Sequence, residues 1–225
     1  MSAKRPGAGE QAVSRVTEAI RGMILDGELL PGQQIRQEQM ATRLGVSRLP
    51  VREGLRQLMA DGLVSHEHNV GFAVTRLSQS EFSQIYLMRR LLESEVLASA
   101  VPADDSLLAY LEELNDNIEV AGEALDLGTA RALNRDFHFA IFRLSPLTLV
   151  VAEIERIWAW AMPYHAVSLQ DAAARARIVA EHRAMIVALR EGRNEVLLSL
   201  MDEHRQGSEE QLGLLLRVDA GRHAV

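Results

Sequence analysis

The chain has 225 residues, 48% of them hydrophobic, 24% charged and only 4% aromatic, with a formal net charge of −7. That is enough for two modest domains with aliphatic cores, and too apolar for a disordered polyelectrolyte. The absence of cysteine excludes disulfides and thiolate metal sites, leaves histidine, carboxylate and amide groups as metal ligands, and suits a reducing cytoplasm.

Residues 1–10 carry Lys4 and Arg5 but lead into no apolar run, which predicts a flexible tail rather than a signal peptide. From Gln11 to Leu25, Val13, Val16, Ile20, Met23 and Ile24 recur with a helical period that stops at Asp26-Gly27. Leu30-Pro31-Gly32 breaks the chain, and a short helix follows over Gln37 to Leu44, closed by Gly45. Ser47 is an N-cap candidate for a helix from Arg48 to Ala60, where Val51, Leu55, Leu58 and Met59 share a face and Pro50 sits harmlessly in the first turn. Two short strands, Leu63 to His66 and Phe72 to Val74, flank His68-Asn69-Val70-Gly71 and read as a hairpin. This order is that of a winged helix-turn-helix, here over 11–77.

Ser78-Gln79-Ser80-Glu81 is a capping box that opens a long helix to about Ala100, with the domain boundary at Thr75 to Leu77. Further helices are expected over Asp105–Leu125, Thr129–Leu144, Pro146–Met162, Asp171–Arg190 and Asn194–Arg217, with turns at Gly128, Ser145-Pro146, Pro163 and Gly192. The fold class is therefore mainly α, a winged helix-turn-helix followed by an antiparallel all-helical bundle over 78–218 and a short tail, 219–225. The most apolar stretch, Leu147 to Ala161, contains Glu153, Glu155 and Arg156, so no membrane span is expected. Charge divides along the same boundary: residues 1–77 carry +2 and residues 78–225 carry −9, a basic module joined to an acidic one.

Arg48 and Arg52 lie at i and i+4 opposite Val51, Leu55 and Leu58, and Arg56 continues the face. Planar guanidinium forks on the second helix of such a motif can bond guanine O6 and N7, while Ser47 and the helix N-terminus suit a phosphate. On an arbitrary helix these arginines would be a solvated face; the preceding helix, the Gly45 turn and the hairpin supply the context for DNA recognition. The segment from Val13 to Val74 resembles the DNA-binding domain of GntR-family bacterial regulators through Leu44-Gly45-Val46-Ser47-Arg48, Pro50-Val51-Arg52-Glu53, Leu55, Asp61-Gly62-Leu63-Val64 and the wing glycine Gly71. The resemblance implies DNA contact by Arg48 and Arg52 and wing contact near Asn69 and Gly71. Leu49 stands where the family often has threonine, and Gly54 where alanine is common.

In the later helices the polar residues inside apolar stripes are the informative ones. His182 follows Ile178 and precedes Met185 and Leu189; His204 follows Leu197 and Met201; Asn134 and His138 share a face beside Leu133, Phe137 and Ile141. A lone histidine of this kind is usually a core residue, but three on three helices can meet at one divalent ion. Arg89 lies in the stripe Phe82, Ile85, Leu92, Val96 and needs an anion, either Glu93 or a carboxylate ligand. His165, after Pro163-Tyr164, reads as an exposed loop residue.

From Ser78 to Leu215 the chain resembles the FCD effector domain of the FadR branch, in the shorter, six-helix VanR-like form, through Ile85-Tyr86-Leu87-Met88-Arg89 with Glu93, Asn134 to His138, Glu181-His182-Arg183 and Glu203-His204. The resemblance implies a metal, zinc or nickel, on His138, His182 and His204 with a bound organic acid; Asn134 occupies the family's aspartate position. It also implies a homodimer that binds palindromic operators, usually as a repressor relieved by ligand. A helical domain that only dimerises is the plainer alternative. A metal-dependent hydrolase is a third, disfavoured because Glu181 and Glu203 sit about 100° round their helices from the adjacent histidine and no nucleophile motif or phosphate loop is present.

Overall fold

The computed structural model describes residues 7–68, 70–168 and 171–222, apart from the side chains of residues 8, 165–168 and 213–222. It divides into two compact units, Met1–Leu77 and Ser78–Val225.

In the first unit, α1 spans Ala8–Leu25, α2 Gln37–Leu44 and α3 Arg48–Ala60. α1 begins three residues before the expected Gln11, because the Gly7 amide donates to Glu10 Oε2 at 2.9 Å and closes the first turn. Residues 8–10 thus belong to the helix rather than to a tail. Gly45 ends α2 at φ 64°, a left-handed conformation that costs glycine nothing. Strands β1 Val64–Glu67 and β2 Gly71–Val74 pair antiparallel, with Val64 opposite Val74 and Glu67 opposite Gly71. β1 starts one residue later than expected, since the Leu63 amide closes α3 by donating to the Leu58 carbonyl at 3.0 Å. An unexpected rung borders β2: the Ile35 amide donates to Phe72 O at 2.8 Å, and the Val74 amide to Gln33 O at 2.9 Å. The two glutamines there carry no apolar alternation from which a strand could be read.

α1 packs on α3, with Val16, Ile20, Ile24, Val51, Leu55 and Leu58 buried; each such side chain contributes roughly 1.5–3 kcal/mol of transfer free energy. Gly54 permits the close approach, because a Cβ there would lie 3.0 Å from Thr17 Oγ1 and 3.3 Å from Thr17 N. The departure from alanine noted in the sequence therefore has a packing reason.

The second unit comprises α4 Gln79–Ala98, α5 Asp105–Glu123, α6 Leu127–Phe142, α7 Thr148–Ser168, α8 Ala172–Arg190 and α9 Asn194–Arg222. Ser78 and Glu81 form the expected capping box, and Asp104, Asp126 and Asp171 cap α5, α6 and α8. Three expectations need correction. The turn before α6 is made by Leu125, at φ 59°, and Asp126, while Gly128 lies inside the helix. α7 continues through Pro163, because buried Ala161, Met162 and Tyr164 on either side outweigh the one helical hydrogen bond that proline removes. Residue 165 is consequently helical rather than in a loop, and its side chain lies outside the described residues. α9 runs to Arg222, beyond position 218 and into the segment read as a tail, since no proline stops it. α4 packs against α7 and α9, α5 against α6 and α8, and α8 against α9. No helix among the described residues is long and apolar enough to cross a membrane.

Candidate nucleic-acid interface and metal centre

Ser47 is the extended N-cap of α3, and its side chain makes no capping bond, so its hydroxyl and the first-turn amides face an open surface. Arg48, Arg52 and Arg56 have side chains 68%, 49% and 57% exposed, while Val51, Leu55 and Leu58 on the opposite face are at 0%. Arg48 pairs with Glu38 at 2.8 Å, and Arg52 and Arg56 with Glu53 at 3.4 and 3.1 Å. Exposed pairs of this kind are worth about 0–1 kcal/mol, so an anionic or guanine partner can displace them. Leu49 is exposed in the first turn, an apolar contact suited to a thymine methyl. Gly71 opens β2 at φ 94°, a conformation that favours glycine. Asn69, expected beside it at the wing tip, lies outside the described residues.

In the helical unit, α6, α8 and α9 bring His138, His182 and His204 together, all buried, with ligand nitrogens within 4.8 Å of one another. At that limit the centre of an equilateral triangle is about 2.8 Å from each corner, so side-chain adjustments of under about 1 Å would reach a zinc–nitrogen distance. His182 Nδ1 lies 3.0 Å from Asn115 Oδ1, whose amide nitrogen donates to the Val179 carbonyl at 3.2 Å. That bond fixes the ring, and its Nε2 is buried without a hydrogen-bond partner among the described residues. Asn134 Oδ1 is in the same condition, one helical turn before His138. An orphaned nitrogen among three converging imidazoles is what a divalent ion would satisfy, and three imidazole nitrogens suit zinc or nickel. Burial, then His204, pushes His182 well below the ordinary 6.5, keeping it neutral and ligand-competent at pH 7.

His204 Nδ1 lies 2.6 Å from Glu181 Oε2, and Arg177 Nη1 donates to the two Glu181 oxygens at 2.9 and 3.1 Å. Burial alone would raise the Glu181 carboxyl, but the hydrogen bonds from His204 and Arg177 hold it below the usual range. Glu181 does leave α8 on a different side from His182, as its offset of about 100° requires, yet that side faces His204 on α9, so the offset does not remove it from the histidine set.

Arg89 Nε donates to Glu93 Oε1 at 2.8 Å, the first of the two partners foreseen for it. Trp158 Nε1 donates to the same oxygen at 2.7 Å, and Arg205 Nη1 to Glu93 Oε2 at 2.8 Å. Burial would raise Glu93, but its two arginines outweigh that and keep it ionised. The Trp158 ring also stacks with the Arg89 guanidinium at 4.2 Å and lies 5.1 Å from the His138 ring, so the ion network adjoins the histidines.

Residues 12–74 match the family described as bacterial regulatory proteins, gntR family, and residues 84–207 match the FCD domain. The chain belongs to the GntR family. This GntR-family regulator is 34% identical over 124 residues to the uncharacterized HTH-type transcriptional regulator YdhC of Bacillus subtilis, covering 53% of this chain and 54% of that protein. To an uncharacterized HTH-type transcriptional regulator in an unstable DNA locus of Streptomyces ambofaciens it is 31% identical over 186 residues, 82% of this chain and 78% of that one. The solved structure of E. coli McbR/YncC superposes with a TM-score of 0.80 at 25% identity, covering 89% of this chain and 96% of that one. The GntR match thus contains the exposed arginine face of α3, and the FCD match contains the three buried histidines. Asn115, Trp158 and Arg205 were not reached from the sequence, because they bond His182 or Glu93 on other helices, whereas Arg177 pairs with Glu181 four residues on along α8, a spacing that the sequence does display.

Proposed function

We propose that this GntR-family regulator binds palindromic operator DNA as a homodimer, as a repressor, and that its helical unit holds zinc or nickel on His138, His182 and His204, with Asn134 as a weaker fourth ligand, to receive a small organic acid. The observation that carries the metal reading is the burial of three converging imidazoles with an orphaned Nε2 and an orphaned amide oxygen. All four donors are neutral, so a bound dication would keep its charge in a dry interior, which favours a carboxylate as the next ligand. Arg89 supports the same chemistry as a buried cation, its Nε committed to Glu93 and its guanidinium set between the Tyr86 and Trp158 rings. No reaction is assigned, because Glu181, the carboxylate a hydrolase would use as base, is committed to His204 and Arg177.

The bound acid, identified by mass spectrometry of the purified protein, is titrated against operator complexes. A coupling of about 1–3 kcal/mol would change operator affinity roughly 5–150-fold. Arg89→Ala is expected to keep ligand-free operator binding and lose the response, and Arg48→Ala to lose binding. A normal response in Arg89→Ala would leave that arginine as scaffold for Glu93 alone, and operator binding indifferent to metal and acid would leave the helical unit as a dimerisation module.

A further inference from the structure

We propose that Arg177 is a positioning residue for the metal centre, seated in the space that Gly207 leaves open on α9 and acting through Glu181 on His204. The inference rests on the metal reading above. Gly207 lies inside α9, where glycine is the poorest helix former after proline. A Cβ at that position would stand 2.6 Å from Arg177 Nη1 and 3.1 Å from its Cζ, so the guanidinium occupies the place of a side chain. From there it grips both oxygens of Glu181, one turn further along α8, and Glu181 crosses to His204, which is three residues before Gly207 on α9. The path therefore leaves α9 at Gly207 and returns to it at His204.

A carboxylate on Nδ1 keeps the imidazole proton there, leaves Nε2 to the metal, fixes the ring plane and raises the nitrogen's basicity. Glu181 is partly exposed at 23%, so without the guanidinium its carboxylate has water as an alternative partner and three side-chain torsions by which to reach it. Asn134 supplies no charge, which leaves Glu181 as the carboxylate hydrogen-bonded to the histidine set among the described residues. Substitution of such supporting groups typically weakens metal binding about 10–100-fold.

The test uses the full chain, with zinc alone as the probe and a competing chelator to read affinity. Gly207→Ala and Arg177→Ala are each expected to weaken zinc binding about 10–100-fold. The double variant is expected to bind no more weakly than Arg177→Ala alone, because both act along one path. Zinc-free Gly207→Ala is expected to melt at or above the wild-type temperature, since alanine favours the helix. Unchanged zinc affinity in both single variants, additive losses in the double, or a lowered zinc-free melting temperature of Gly207→Ala that accounts for its loss would overturn the proposal. A wild-type chain that takes no zinc would overturn the metal reading and this inference together. Tight wild-type binding with indifferent variants removes this inference alone. Should Gly207→Ala fail to fold, Arg177→Ala decides by the same fold-change.

Discussion

Arg48 and Arg52 project from α3 with only exposed carboxylates to hold them. Replacing either with alanine is expected to cost roughly 1–3 kcal/mol of specific operator binding and to relax preference at one base pair in each half-site. Mobility-shift titrations against single-base operator variants measure this; wild-type affinity with unchanged salt dependence would refute the assignment. These arginines were legible because α3's own apolar period fixes which way they point. The three histidines were legible for the complementary reason, as polar interruptions of apolar stripes. Glu181 was not: its angular offset on α8 says nothing of what a side chain on α9 places beside it, and only packing puts His204 within 2.6 Å.

Among the helices, Glu93 on α4 is the tie, accepting from Trp158 on α7 and Arg205 on α9 as well as from Arg89. Glu93→Gln leaves two buried guanidinium groups short of a counter-charge and is expected to destabilise the bundle by about 3–5 kcal/mol, read from urea unfolding. A stability loss within experimental error would mean that Asp202, already paired with Arg205, suffices. The bundle is also expected to weaken in acid in two stages. Below pH 6.5 the unfolded chain gains a proton that buried His182 refuses, so metal-free stability falls as pH drops from 6.5 toward that depressed value. Below 4.5 the unfolded Glu93 carboxylate is protonated before the native one, adding a second loss. Urea midpoints compared at pH 7 and pH 5 check the first stage, which should shrink in a His182→Asn variant; an undiminished slope there would assign it elsewhere. The start of α4 was readable from Ser78 and Glu81 because a capping box is a local event. The passage of α7 through Pro163 was not, because its cause is burial by other helices, and neither was the rung at Gln34, whose pairing partner is thirty-nine residues away.

Each of the two units has its own core, and heating is expected to resolve two transitions by calorimetry. Zinc at about 100 times its dissociation constant should stabilise the helical unit by about 2.7 kcal/mol, and operator DNA should raise the other transition. A single transition shifted equally by both would show that the units unfold as one. The division was visible in the charge split and the capping box at Ser78, whereas the contacts that build each unit's site were not. In genetic terms, the contact between Gly54 and Thr17 makes α1 a partner in the recognition helix's inheritance. An operator-binding defect caused by Gly54→Ala, which must move α3 away from Thr17 by tenths of an ångström, should be suppressed by Thr17→Ala, a second-site change at a buried residue.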